Sequence, residues 1–139
     1  MKSLLGRLGV LFIGLLILGY SDVWGANWKL FNHDEKSFDY YDAEGIIRPS
    51  KNIVRVWVKR VYTKEGVIDA VQKLGKRFAT VSHDIDLLEI NCADKKQHFL
   101  YMSSYSEKGE IIHSENQTTE WNFIVPESVG EAFFKKICE

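Results

Sequence analysis

The residue types suited to chemistry are few and scattered. His83-Asp84-Ile85-Asp86 is the densest group of metal-ligand types, and residues two apart on a strand share a face. Completing a site there requires a histidine distant in sequence: His33, His98 or His113. A stable zinc site needs three or four protein ligands on a defined scaffold. The chain has no His-x-x-x-His pair, no second histidine in this group and no calcium loop, so His83 reads as a solvated loop histidine. Nucleophilic hydrolysis needs an activated serine or cysteine beside a base. There is no Gly-x-Ser-x-Gly, and Ser103-Ser104 stand next to tyrosines in a strand pattern. Asp39 and Asp42 come nearest to a carboxylate pair for glycoside chemistry, but acids near a turn serve as caps or as surface. No glycine-rich phosphate loop is present. These observations assign no catalytic residue, no cofactor and no metal ligand, and the expectation is a protein that is not an enzyme.

The aromatic residues offer a different chemistry, that of contact. Trp57 alternates with Arg55 and Lys59 along one strand face. Trp, Tyr and Arg dominate binding hot spots, so Arg55, Trp57 and Lys59 are candidate partner contacts. The alternative is that the arginine and lysine stems cover a half-buried indole. Asn116-Gln117-Thr118 is a formal glycosylation sequon, meaningful only in a eukaryotic secretory pathway.

Residues 1–25 carry the parts of a secretory signal: Lys2 and Arg7, the apolar run Leu8 to Leu18, and Val23-Trp24-Gly25 before the expected cut. An apolar run of about 11 residues is far shorter than the roughly 20 needed to cross hydrocarbon as a helix. With no cysteine near the cut, no lipid attachment is expected there. Residues 26–139 then form a single domain of about 114 residues. Its net charge, close to that of the whole chain at −1, argues against nucleic acid as the natural partner, and no later stretch is long enough to span a membrane.

The only two cysteines, Cys92 and Cys138, follow the signal. In an oxidising compartment pairing is their default. A bridge closing about 46 residues is worth roughly 4 kcal/mol on a chain-entropy argument. The alternative is a redox or nucleophilic thiol, for which no Cys-x-x-Cys exists.

The elements that position these residues follow from hydrophobic period. Asn27–Phe31 and Ser37–Tyr41 read as a strand pair around Asp34-Glu35-Lys36, and Asp42 is placed to cap a short helical turn over 43–45. Ile46–Arg48 is extended up to the Pro49–Asn52 turn. Ile53–Thr63 is the strongest strand. Val54, Val56, Val58 and Tyr62 lie on one face; Arg55, Trp57, Lys59 and Val61 lie on the other. Val67, Val71, Leu74 and Phe78 predict a helix over 67–78. Strands follow over 85–92, 97–106 and 110–114, with Gly109 in the left-handed slot of a three-residue hairpin. After an extended piece at 121–125, Ser128 and Glu131 form a capping box for a closing helix, whose stripe is Val129, Ala132, Phe133 and Ile137. The fold class is α+β: an antiparallel sheet of about six strands, a mid-chain helix, and a C-terminal helix packed on one face.

Several of these segments resemble surface-adhesin protein E-like domains. They are Trp28-Lys29-Leu30-Phe31, Tyr40-Tyr41-Asp42, Ile47-Arg48, Asn52 to Lys59, Glu89-Ile90-Asn91-Cys92, Glu120-Trp121, Ile124-Val125-Pro126, Ser128 to Ala132 and Ile137-Cys138. The resemblance covers essentially all of residues 26–139 and is least typical from Thr63 to His83. It implies an antiparallel sheet tied to its C-terminal helix by a disulfide. It further implies export to the periplasm or cell surface of a Gram-negative bacterium, a protein partner, and association as a homodimer. The family's lipid-bearing cysteine has no counterpart here, and no binding residue transfers from the family. The expected function is an exported, non-catalytic, adhesin-like binding domain. The competing expectations are a small periplasmic enzyme or metal binder using His83, Asp84 and Asp86, and a structural envelope protein acting by self-association.

Overall fold

The computed structural model describes residues 26–139. The expected signal, residues 1–25, lies outside the described residues. Eight strands form one antiparallel sheet: β1 (Trp28–His33), β2 (Ser37–Asp42), β3 (Ile47–Ser50), β4 (Ile53–Tyr62), β5 (Val81–Asn91), β6 (Lys96–Ser106), β7 (Ile111–Glu115) and β8 (Asn122–Phe123). The spatial order is β1-β2-β4-β5-β6-β7, with short β3 beside β4 and short β8 beside β6. Helix α1 (Lys64–Leu74) continues into a 3-10 turn at Lys76–Thr80, and helix α2 (Val129–Cys138) closes the chain. The α+β architecture expected from the sequence is the one observed.

The register explains which residues are buried. Val54 lies opposite Ile90, Val56 opposite Leu88 and Val58 opposite Asp86, so these share one face of the pleat. Val54, Val56 and Ile90 are fully buried. Helix α2 lays Phe133 and Ile137 over this patch, with Phe31 and Tyr41 from β1 and β2 packed beside it. The rings of Phe31 and Phe133 are 4.6 Å apart. A second cluster, of Ala70, Phe78 and Val81 with Tyr62, Val67 and Ile112, seats α1 at the far end of the same face.

Local signals set the ends of the helices. Thr63 Oγ1 accepts from Gly66 N at 3.1 Å, so α1 begins three residues earlier than the apolar stripe alone suggests. Gly75, at φ 107°, ends it, and Phe78 falls in the 3-10 turn instead of the predicted helix. Ser128 caps α2 by accepting from Glu131 N at 3.2 Å. The Glu131 carboxylate accepts from Glu127 N, one residue outside the usual capping box. Cys138, the last residue of α2, is disulfide-bonded to Cys92 just beyond β5. Residues 43–45 form a bend, not a helical turn. Strand β5 begins at Val81, so Ser82-His83-Asp84 is strand and not loop.

Candidate functional site

Both helices pack on one face of the sheet, and the other face carries no helix, though Trp121 covers it at His98. On that open face Arg55, Trp57 and Lys59 stand along β4, as their alternation predicts. Their neighbours divide them. Arg55 donates from Nε to Glu89 Oε2 at 3.0 Å, and its Nη2 lies 2.9 Å from the same oxygen. Glu89 Oε1 lies 2.7 Å from Nε2 of the buried His98, whose ring stacks on Trp121 at 3.7 Å. Burial pushes the Glu89 carboxyl up, but the bonds from His98 and Arg55 outweigh it and hold the group below its usual range. Arg55 is thus engaged within the protein.

Trp57 is partly exposed and meets Tyr101 edge to face at 6.1 Å. The Lys59 ammonium lies over the ring of Trp28, at 5.8 Å, and not over Trp57. Tyr40 pairs with Lys59 in register, and Leu30, half exposed, pairs with Tyr40. The result is a partly exposed apolar and aromatic surface across β1, β2, β4, β5 and β6, with Lys59 inside it.

His83 is also on this face. It pairs with Val61 and Tyr105, and its ring lies parallel to that of Tyr105 at 5.2 Å. Burial, with the charge of Lys59 nearby, holds its pKa below the usual histidine value. Asp84 and Asp86 point the other way, as alternation requires. The trio therefore does not converge, and among the described residues no group of three or more His, Cys, Asp and Glu gathers for a metal.

The helix-bearing face holds a second feature. Between its two apolar clusters runs a polar belt: Asp39 on β2 opposite Arg60 on β4, and Arg60 opposite Asp84 on β5. Arg60 Nε donates to Asp39 Oδ1 at 2.9 Å, and Asp39 is only 3 % exposed. Asp84 accepts from Tyr62 Oη at 2.5 Å and from Ser104 Oγ at 2.7 Å. Asp86 accepts from Ser103 N at 3.2 Å, and burial, reinforced by the charge of Asp84, pushes its carboxyl up to about 7. The belt borders a half-open cavity of about 160 Å³ beneath the start of α2. Val58, Leu88, Phe99 and Phe133 give it apolar walls.

The family model for surface-adhesin protein E matches residues 28–139, from the first residue of β1 to the end of the chain. The chain belongs to the surface-adhesin protein E family. No curated protein and no solved structure matches it. The family description is that of a surface adhesin. Among the described residues, no helix of this adhesin-family protein is long and apolar enough to cross a membrane.

The alternation in the sequence places Arg55, Trp57 and Lys59 on one face of β4 but does not reveal the polar belt of this adhesin-family fold. Arg60 stands between Val58 and Tyr62 on the face otherwise filled by valines, and that break in the pattern was the available signal. The Arg55–Glu89–His98 chain gave none, because its members lie on three strands that only the register brings together.

Proposed function

We propose that this protein is an exported, non-catalytic, adhesin-like binding module of the bacterial envelope that holds a protein partner against the open face of its sheet. The observation that supports this reading is the position of both helices on one face. It leaves Trp57, Tyr101, Trp28 and Lys59 partly exposed on the other. An aromatic surface of this kind, uncovered by the chain's own elements, marks an interaction site. Trp57 is the anchor in this reading, with Lys59 supplying charge; Arg55 fixes the adjoining Glu89 and His98 and contributes less. The signal-like residues 1–25 and the Cys92–Cys138 bridge support passage into an oxidising compartment, periplasm or cell surface.

The test is a capture experiment with residues 26–139 as bait in an extract of the native envelope. The expected result is a protein retained by the parent and lost from the Trp57→Ala, Lys59→Ala double variant, with circular dichroism and Tm unchanged. Recovery of the bait alone would favour self-association as a dimer through this face. Equal retention by the double variant would remove the open face from the account.

A further inference from the structure

The cavity under α2 lies on the opposite side of the sheet from the proposed partner surface and stands on separate observations. One side of it is hydrocarbon: Val58 and Leu88 from the sheet floor, Phe99 from β6, and Val129 and Phe133 from α2, with the polar Gln97 of β6 beside them. Its volume, about 160 Å³, is enough for one benzene-sized molecule. Its far end is polar and carries an excess of acid. Asp39 and Asp86 line it with the single guanidinium of Arg60, and Asp84, opposite Arg60 on β5, stands just outside the lining. Arg60 is bound to Asp39, and Asp84 is held by two hydroxyls, from Tyr62 and Ser104. Among the described residues, Asp86 receives one hydrogen bond, at Oδ1, and its side chain lines the cavity. Lys59 also borders the cavity, but its ammonium lies across the sheet over Trp28.

We infer that this cavity binds a small primary amine, its ammonium paired with Asp86 and its hydrocarbon body against Val58, Leu88 and Phe99. A cation supplies the charge that the belt lacks, and a body of about six carbons fills the space. An anion would meet the carboxyls of Asp39 and Asp86. A neutral alcohol would leave their excess charge uncompensated. Because burial and Asp84 keep Asp86 partly protonated near pH 7, capture of an ammonium ion releases part of a proton. Two sources share this chemistry: a free amine, and a lysine side chain of a protein.

The test is calorimetric titration of residues 26–139 with benzylamine at pH 7, in phosphate and in HEPES. A ligand of this size is expected to bind with Kd on the order of 1 mM. Benzyl alcohol and benzoate should bind at least tenfold more weakly. The heat should differ between the two buffers by the ionisation of the released proton. Asp86→Asn keeps the acceptor for Ser103 N and should lose binding about tenfold, whereas Trp57→Ala, on the other face, should leave it unchanged. Nα-acetyl-lysine methylamide binding more tightly than benzylamine would identify a protein lysine as the source; the reverse order would identify a free amine. The inference fails if neither amine binds, if benzyl alcohol matches benzylamine, or if Asp86→Asn binds as the parent does. Should that variant not fold, a buffer-independent heat in the parent would overturn the inference by itself.

Discussion

His83 and Asp84 are consecutive residues of β5, and their side chains serve opposite faces of the sheet. His83 lies against Tyr105 on the open face, while Asp84 accepts hydrogen bonds from Tyr62 and Ser104 beneath the helices. One step along the strand separates a contact surface from a half-buried polar belt.

The bridge between Cys92 and Cys138 fixes the end of α2 to the end of β5. Replacing both cysteines by alanine should lower unfolding free energy by about 4 kcal/mol, as expected for a loop of this length. Urea denaturation of the parent with and without reductant should reproduce the same loss. A change below about 1 kcal/mol would mean that packing of Phe133 and Ile137 alone holds the helix.

Asp86 titrates in the wrong direction for a stabilising carboxylate. Its folded pKa, about 7, lies above the ordinary 3.8. Its contribution to stability is complete below pH 3.8 and is lost as pH rises through 7. Asp86→Asn should therefore be more stable than the parent at pH 8, by ~1–4 kcal/mol, with the advantage vanishing near pH 4. Denaturation midpoints measured across that range check the sign. A variant less stable than the parent at pH 8 would contradict the burial argument.

Glu89 runs the other way. Its folded pKa lies below 4.5, so its stabilisation is present above 4.5 and lost as pH falls through the folded value. Glu89→Ala also strips the acceptor from the buried His98 and from Arg55, and should cost roughly 2–3 kcal/mol at pH 7. Thermal melts at pH 7 and pH 3 should show the gap narrowing in acid.

Gly66 sits in the first turn of α1, where an added Cβ would strike the backbone carbonyl of Lys36 and crowd the Tyr62 ring. Carbonyl and helix cannot both stay in place. Gly66→Ala should destabilise by more than about 2 kcal/mol, although alanine is the better helix former. A neutral effect in urea denaturation would show that α1 can shift outward freely.

How much of this was legible in the residues depends on whether a feature is local or made by register. The valines of β4, the Ser128 cap and the hairpin glycine Gly109 act over two to four positions and could be read directly. The start of α1 was misplaced because Thr63 and Gly66 outrank the apolar stripe that begins at Val67. Ser82 to Asp84 read as loop because polar residues in a strand make sense only once Tyr62 and Ser104 are seen to satisfy Asp84. Arg55, Trp57 and Lys59 were found on their common face, but nothing local could show that Lys59 reaches Trp28 or that Arg55 belongs to Glu89. The cavity assembles residues from five strands and a helix, and no spacing in the chain encodes it.

The most direct test of the account places a photoreactive residue at position 59, on the open face, and in a second protein at position 68, exposed on α1. Illumination in the native host, followed by denaturing electrophoresis, reads which face touches another protein. The account predicts a discrete crosslinked product from position 59 and none from position 68. A product from position 68 alone would contradict it.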